Sequence, residues 1–197
     1  TVSIVHSNDL YGELLRGTGR DSLGGMAPRV HLIREIMKQG PAVVLDAGDA
    51  IGPATLSAWD KGKTMVDLMR IADYTALTPG NHEFDFGLKT FNERQKEAGF
   101  PFLAANIIAQ GSVEIGTIGH MLQIVGGVKI GILGVVTPEI AAQTNPRNVA
   151  GLTFGDPVKA AQASALALHE QGADYVIAIA HMTESAVLDL AQRVPGV

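Results

Sequence analysis

The sequence predicts an α/β fold in which short apolar strands alternate with amphipathic helices. Segments 42–45 and 175–180 are compact, β-branched and apolar, as expected of strands buried on both faces. Segment 63–71 carries apolar residues at helical spacing. Polar side chains directly follow several of these apolar runs, and in layered α/β folds ligands collect outside the carboxyl ends of the strands.

The N-terminal half is predicted as strands connected by helices. The turn-forming residues from Ser7 to Gly12 end the first strand, and Gly40 and Pro41 end the first helix. Strands are predicted over 1–6, 42–45 and 74–77, and helices over 26–39 and 63–71.

The C-terminal half continues this alternation and adds a hairpin. Two apolar runs are separated by Gly126 and Gly127, a spacing typical of a two-residue hairpin. Asp156 and Pro157 form an N-cap and first helical position, so a helix is expected from there to about Gly172. Strands are predicted over 101–107, 120–125, 128–136 and 175–180. Helices are predicted over 88–98 and from 184 to Arg193. A long surface loop near the substrate is expected over 137–154.

The composition excludes several classes of protein and of binding site. The 197 residues are 46% hydrophobic and 18% charged, which suits one large domain or most of one. A net charge of -5 without a Lys/Arg cluster argues against binding to a nucleic-acid backbone. The absence of cysteine excludes disulfides and thiolate metal sites. No apolar run approaches the roughly 20 residues that span a bilayer. The chain opens at Thr1 directly in a strand, which is consistent with export after removal of an upstream signal.

Four predicted strand ends carry side chains that bind metals. These are Asp9, Asp49, the pair Asn81 and His82, and His181. Because parallel strands end at one edge of a sheet, such residues can meet although they are far apart in sequence. Oxygen and imidazole donors without thiolate favour Mn, Zn, Mg or Fe. A central carboxylate such as Asp49 can bridge two cations about 3.5 to 4 Å apart, as in phosphoryl-transfer sites.

These motifs resemble those of a known family. Segments 8–12, 48–49 and 80–83, together with His181, resemble the successive motifs of the calcineurin-like metallophosphoesterases. Segments 80–87, 102–106 and 172–174 are similar to the N-terminal catalytic domain of the bacterial 5'-nucleotidase family. The resemblance covers nearly the whole chain and implies a layered α/β/β/α sandwich, incomplete at its C-terminus. It also implies a periplasmic or extracellular protein.

The resemblance implies two divalent metal ions, Mn, Zn, Mg or Fe. Asp9 would bind the first metal, Asp49 would bridge both, and Asn81 and His181 would bind the second. The nucleophile would be a metal-bound hydroxide. The reaction implied is hydrolysis of phosphate esters, with 5'-nucleotides or nucleotide-sugars as the small-molecule substrates.

His82 and Asp85 are expected to form a catalytic pair. By resemblance, His82 would stabilise the phosphoryl transition state or the leaving oxygen, and Asp85 would orient its ring. A cationic imidazole beside a developing alkoxide lowers the barrier, and a carboxylate on its far nitrogen raises its basicity and fixes its tautomer.

Two departures from the family pattern qualify this prediction. The family's first motif is Asp-x-His, but this chain has Tyr11 at the third position, and a phenol is a poor ligand. The Gly-Gly-His motif expected after Val194-Pro195-Gly196 is absent, because the chain ends at Val197. Residues 1–197 are therefore expected to be most of a catalytic domain, without its C-terminal part or a nucleotide-recognition domain, and to be inactive in isolation.

The same residues are compatible with two alternative functions. Related family members cleave cyclic nucleotides or thiosulfonate esters with the same core, and segment 137–154 could set that choice. Loss of an imidazole at Tyr11 could instead leave a non-catalytic binding domain.

Several other residues have structural interpretations. Asp46 is expected to be a buried carboxylate satisfied by backbone amides, and Glu83 to support the site or begin a helix. Trp59 and its neighbours are interpreted as a loop over the site. Four methionines are predicted to fill the core, namely Met26, Met37, Met65 and Met69.

Overall fold

Strands and helices alternate along the chain as the sequence predicts. The computed structural model describes residues 1–15 and 24–197. The strands are β1 (Ser3–Ser7), β2 (Ala42–Asp46), β3 (Ala76–Leu77), β4 (Ile107–Ala109), β5 (His120–Val125), β6 (Val128–Val136), β7 (Leu152–Phe154) and β8 (Tyr175–His181). The helices are α1 (Met26–Gln39), α2 (Thr55–Asp60), α3 (Lys63–Ile71), α4 (Gly87–Ala98), α5 (Ile140–Gln143), α6 (Pro157–Glu170) and α7 (Glu184–Arg193).

One central sheet is parallel, with strand order β1-β2-β3. Ser7 pairs with Asp46, and Asp46 pairs with Leu77, so the three strands end in one row. The loops that follow these strands therefore leave the sheet at the same edge. An isolated parallel bridge between Leu77 and Phe102 extends the pairing by one more segment.

The second central sheet has the order β5-β6-β8. β5 and β6 form the predicted antiparallel hairpin, with Gly126 and Gly127 at positive φ in the turn. β6 and β8 are parallel, and Val136 pairs with His181. This register places His181 at the last position of its strand, where the chain turns towards α7.

The two sheets pack face to face between layers of helices. Along β2, Val43 and Leu45 contact the second sheet through a shared cluster with Ile132 and Ile179, whereas Val44 faces the helices on the other side. Residues of β6 alternate likewise between this inter-sheet core and a cluster with α6 and α7. The predicted α/β/β/α sandwich is therefore confirmed. The hydroxyl of Thr78 donates to the carbonyl of Ile179 at 3.3 Å and ties the sheets together next to the strand ends.

Segment 137–154 is not the long surface loop that the sequence predicts. It contains α5, a 3-10 turn over Pro146–Val149, and β7, which pairs antiparallel with β4. Ile140 and Val149 are buried in the core beside the first sheet. Proline and asparagine in this segment shape short turns between these elements; the side chain of Asn145 caps the 3-10 turn by accepting from the backbone N–H of Arg147.

The prediction of a strand over 101–107 is also wrong, because β4 covers only Ile107–Ala109. Phe102 and Leu103 form isolated bridges, and the continuous ladder begins at Ile107. The side chain of Asn106 replaces the missing pairing, since its oxygen accepts from the backbone N–H of Val136 at 2.9 Å and its amide donates to the carbonyl of Val136 at 2.8 Å. A side chain that satisfies strand groups in this way ends the ladder locally.

The remaining structural expectations have mixed outcomes. The predicted core residues Met26, Met65 and Met69 are buried, and Met37 packs against the same cluster. Trp59 lies in helix α2 rather than in a loop, and its side chain is 90% exposed. None of the helices in the described ranges is long and apolar enough to cross a membrane.

Candidate metal centre

The loops after β1 and β2 and the end of β8 bring three metal-binding side chains together. One ligand atom from each of Asp9, Asp49 and His181 lies within 4.8 Å of the others. Asp49 is buried, His181 is half-buried and Asp9 is exposed. Asn81 lines the same cavity, which has a volume of about 240 Å³. The structure therefore gathers the four predicted metal ligands around one cavity.

The orientation of His181 fits a cation. Its Nδ1 lies 2.8 Å from the carbonyl oxygen of Ala47, so this nitrogen carries the proton and donates to the carbonyl. Nε2 of the same ring lies 3.6 Å from Oδ2 of Asp49. A ring with its only proton on Nδ1 presents a lone pair at Nε2, which can bind a cation held between this nitrogen and the carboxylate. Imidazole nitrogen and carboxylate oxygen are suitable donors for Mn, Zn or Fe.

Close backbone packing makes this arrangement possible. A side chain at Gly80 would collide with the carboxylate of Asp49 and the ring of His181. A side chain at Gly48 would reach within 2.7 Å of Nδ1 of His181. The two glycines therefore allow the metal-binding side chains to approach the backbone, and larger residues would displace them.

Two acidic residues of the centre have a backbone conformation that is uncommon for non-glycine residues. The φ angles of Asp9 and Asp49 are 53° and 55°. The N–H of Asp9 donates to the carbonyl of Gly48 at 2.9 Å, and the N–H of Tyr11 donates to the carbonyl of Asp49 at 2.8 Å. These hydrogen bonds hold the two loops side by side, and strain maintained in this way is typical of functional sites.

His82 and Asp85 form the pair that the sequence predicts. Nδ1 of His82 lies 2.7 Å from Oδ2 of Asp85, and the two side chains are 26% and 27% exposed. The backbone N–H of His82 also donates to Oδ1 of Asp49 at 2.9 Å. The histidine is therefore fixed to Asp49 by its backbone and to Asp85 by Nδ1 of its ring.

Tyr11 occupies the position where the family resemblance leads us to expect a histidine. Its hydroxyl lies near the carboxylate of Asp9. Partial burial raises the pKa of Tyr11 above the usual value of 10.0, and the proximity of Asp9 and the charges of Asp9 and Asp49 act in the same direction. The phenol thus stays protonated at neutral pH and can donate a hydrogen bond towards Asp9.

The sequence profile of the calcineurin-like phosphoesterases matches residues 2–196. The chain belongs to the calcineurin-like phosphoesterase family. Its fold, the order of its motifs and the donors gathered at the strand ends all agree with this assignment, and calcineurin-like phosphoesterases use divalent metals.

Among curated proteins, this calcineurin-like phosphoesterase is similar to a snake venom 5'-nucleotidase from Crotalus adamanteus, with 34% identity over 100% of this chain and 35% of that protein. The structure of a 5'-nucleotidase precursor from Thermus thermophilus superposes with a TM-score of 0.88 at 28% identity, over 98% of this chain and 39% of that one. NAD nucleotidase from Haemophilus influenzae superposes with a TM-score of 0.86 at 25% identity, over 99% and 36% of the two chains. The chain thus spans well under half of each of these proteins.

Glu83 supports the metal centre of this calcineurin-like phosphoesterase more directly than the sequence indicates. Its side chain is buried, and one oxygen accepts the N–H groups of Asp49 at 2.8 Å and Gly80 at 2.6 Å. The other oxygen accepts the N–H groups of Ala50 at 2.7 Å and Ile51 at 3.1 Å. Burial raises the pKa of Glu83, as does the charge of Asp49, whereas these hydrogen bonds oppose the rise. One carboxylate therefore joins the loops that carry Asp49 and Asn81.

Asp46 is structural, as predicted, although a hydroxyl also contributes to its contacts. Its carboxylate accepts the hydroxyl of Ser7 at 2.6 Å and the N–H of Gly48 at 2.9 Å. Complete burial raises the pKa of Asp46 from 3.8 to about 8, despite these two hydrogen bonds. Asp46 is therefore largely protonated at neutral pH, so it adds little negative charge beside Glu83.

Three residues in the segment after β6 of this calcineurin-like phosphoesterase also border the metal cavity. Thr137 follows β6, and Glu139 and Gln143 lie at the two ends of α5. The sequence alone does not identify any of the three as a site residue, because the pattern of this segment predicts an irregular loop. The pairing of Val136 with His181 is what brings this segment to the cavity.

Proposed function

We propose that this chain is the catalytic domain of a metal-dependent phosphohydrolase that cleaves phosphate esters. Within this class, the proposed substrates are 5'-nucleotides or nucleotide-sugars. The observation that carries the proposal is the convergence of Asp9, Asp49 and His181 within 4.8 Å, with Nδ1 of His181 donating to the carbonyl of Ala47 and Nε2 lying 3.6 Å from Oδ2 of Asp49. The family match over residues 2–196 supports the assignment of the chain to this domain.

The proposal assigns two divalent cations to the centre. Asp9 would hold the first, Asp49 would bridge both, and Asn81 and His181 would hold the second. When bound, such cations supply positive charge for the phosphoryl oxygens and lower the pKa of a water molecule. The donor set fits Mn, Zn or Fe, since it combines imidazole with oxygen ligands.

Substrate charge explains why cations are needed here. The residues that line the metal cavity include the carboxylates of Asp9, Asp49 and Glu139. Among the residues that the structure describes, no lysine or arginine lines this cavity. A phosphate dianion would be repelled by these carboxylates, so the cavity suits a phosphate ester only when metals offset their charge.

His82 is assigned the role of stabilising the leaving oxygen. With Nδ1–H donating to Asp85 at 2.7 Å, a protonated ring carries its second proton on Nε2. Transfer of that proton to the leaving oxygen as the bond from phosphorus to that oxygen breaks yields an alcohol and a neutral ring. Asp85 stabilises the imidazolium before the transfer and fixes the ring orientation throughout.

The nucleotide part of the proposal draws on the named relatives. A 5'-nucleotidase acts on nucleoside monophosphates, and the NAD nucleotidase is named for a dinucleotide. The small-molecule partner of this chain is accordingly proposed to be a nucleotide. A periplasmic or extracellular location is proposed as well, because one relative is a venom protein; fractionation of the source cells tests it.

One observation favours a second candidate, a metal-free binding domain. Tyr11 stands where the family resemblance leads us to expect an imidazole ligand, so the first metal position has fewer donors. Calorimetric titration of the full-length protein with Mn²⁺ and Zn²⁺ discriminates the two candidates. Absence of metal uptake, with no gain from Tyr11→His, favours the binding domain.

The catalytic proposal is tested by kinetics on the full-length protein. Hydrolysis of nucleoside monophosphates, a dinucleotide pyrophosphate, a cyclic nucleotide, a thiosulfonate ester and a generic phosphodiester is measured with Mn²⁺ or Zn²⁺. His82→Ala is expected to lower kcat by about 10² to 10⁴-fold, the usual range for loss of a general acid. His31→Ala is the matched control, since His31 is exposed on α1. Undiminished turnover in His82→Ala contradicts the mechanism.

A further inference from the structure

Tyr11 lies between the metal cavity and a second cavity. It lines the metal cavity beside Asp9 and Asp49, and also an open cavity of about 530 Å³ that is bordered by His82 and by the start of α2. Its ring packs against the ring of His82, with centroids 5.6 Å apart and planes at 88°. This edge-to-face geometry is the preferred contact between two aromatic rings.

We propose that Tyr11 is a positioning residue that holds the ring of His82 in its working orientation, an inference that rests on the proposed phosphohydrolase function. Asp85 contacts the ring at one atom, Nδ1. The ring of Tyr11 packs edge-to-face against the same ring and limits how far the side chain of His82 can swing about its χ1 and χ2 torsions. The two contacts together restrict the direction of Nε2 more than either contact does alone.

The backbone of Tyr11 is fixed firmly enough for this role. Its φ is 52°, in the left-handed region that bulky residues rarely adopt. Its N–H donates to the carbonyl of Asp49 at 2.8 Å, and its carbonyl accepts from the N–H of Ala54 at 2.9 Å. The residue is thus held from both sides by loops of the site, and its side chain projects from a rigid support.

The hydroxyl of Tyr11 gives the residue a second, separable contact. The hydroxyl lies near the carboxylate of Asp9, the ligand assigned to the first metal. Through its ring and its hydroxyl, Tyr11 is therefore placed between a metal ligand and the catalytic imidazole.

Two substitutions separate the ring from the hydroxyl. Tyr11→Leu removes the ring and the hydroxyl, and Tyr11→Phe removes only the hydroxyl near Asp9. Tyr175→Leu is the matched control, since Tyr175 is 68% exposed at the opposite end of β8 from His181. For each full-length variant we measure kcat and KM on a nucleoside monophosphate with saturating Mn²⁺, Mn²⁺ affinity by calorimetry, and the ¹³Cε1–¹H resonance of His82 in metal-free protein.

Tyr11→Leu is expected to lower kcat by about tenfold or more with KM changed by less than about twofold, because misorientation of a catalytic group acts in the transition state. It should also shift the His82 resonance by more than the ring-current contribution of Tyr11 calculated from the structure, because the ring of His82 changes its orientation. Tyr11→Phe should lose less than about threefold in kcat and leave the His82 resonance in place, while weakening Mn²⁺ binding by about tenfold, as loss of a contact to a metal ligand does.

An unchanged kcat and an unchanged His82 resonance in Tyr11→Leu overturn the proposal. A loss of kcat in Tyr11→Phe as large as that in Tyr11→Leu also overturns it.

If the wild-type protein hydrolyses none of the substrates, the proposed function fails, and the His82 resonance alone decides the positioning role. A shift in Tyr11→Leu that is absent in Tyr11→Phe supports this role, and no shift in either variant rejects it.

Discussion

Nε2 of His181 lies 3.6 Å from Oδ2 of Asp49, although Asp49 lies in the loop after β2 of one sheet and His181 ends β8 of the other. The contact exists because the sheets pack face to face with their strand ends at a common edge. Nδ1 of His181 donates to the carbonyl of Ala47, which leaves Nε2 to face the carboxylate oxygen. A cation held between Nε2 and this oxygen underlies the first prediction.

Divalent cations are expected to stabilise the protein against unfolding. A cation that binds only the folded state contributes about 2.7 kcal/mol when present at about 100 times its Kd. Asp49→Asn should lower the affinity for Mn²⁺ by more than about tenfold and abolish most of the rise in Tm that Mn²⁺ produces. Asp189→Asn, an exposed surface change, provides the comparison. Equal Mn²⁺-induced Tm shifts in both variants would show that Asp49 does not bind the metal.

Asp85→Asn is expected to lower kcat without changing the fold. The substitution preserves shape but removes the negative charge that stabilises the imidazolium of His82, whose Nδ1 lies 2.7 Å away. We expect a loss of about 10 to 100-fold in kcat with a smaller change in KM. Asp67→Asn is a suitable control, because Asp67 is similarly exposed but lies in an ion pair with Lys63 on α3. Retention of wild-type kcat by Asp85→Asn contradicts the assigned pair.

Glu83→Gln is expected to destabilise the protein by about 2 to 4 kcal/mol. The carboxylate accepts four backbone N–H groups, two at each oxygen. An amide retains one accepting oxygen and turns N–H groups towards the other two donors, so two buried donors lose their partner, each at a cost of about 1 to 3 kcal/mol. Urea unfolding measures the effect, and Glu93→Gln on the exposed surface of α4 controls for loss of charge. A change below about 0.5 kcal/mol would refute the role of Glu83.

The raised pKa of Asp46 predicts a dependence of stability on pH. Burial raises it from 3.8 to about 8, so between about pH 4 and pH 8 the folded state holds a proton that the unfolded state has released. The free energy of unfolding should therefore fall as pH rises through this window, by at most about 1.4 kcal/mol per pH unit, and level off above it.

Asp46→Asn isolates this contribution. The amide can accept from Gly48 and donate to the hydroxyl of Ser7, which then donates to Tyr74, 2.8 Å away. The variant should be less sensitive to pH than the wild type over the same window, as measured by urea unfolding at several pH values. Parallel pH profiles of the two proteins would mean that Asp46 is ionised in the folded state.

Much of the fold follows directly from local sequence patterns. The hairpin at Gly126 and Gly127 and helix α3 have the bounds that the sequence predicts, because turn glycines and helical periodicity act over a few residues. The prediction for segment 137–154 is wrong, since its short elements are stabilised by contacts with the core that leave no local periodicity. The pairing made by the side chain of Asn106 is a long-range contact of the same kind.

The sequence by itself determined which residues are available for the site: Asp9, Asp49, Asn81 and His181 at strand ends, and His82 three positions before Asp85. Polar residues directly after apolar runs are a local signal, so they can be recognised without a structure. The tertiary structure decided how these residues are connected. Glu83 joins two loops through backbone N–H groups, and Tyr11 contacts both Asp9 and His82. Such contacts depend on the relative placement of the loops, which the packing of the two sheets sets and no local pattern encodes.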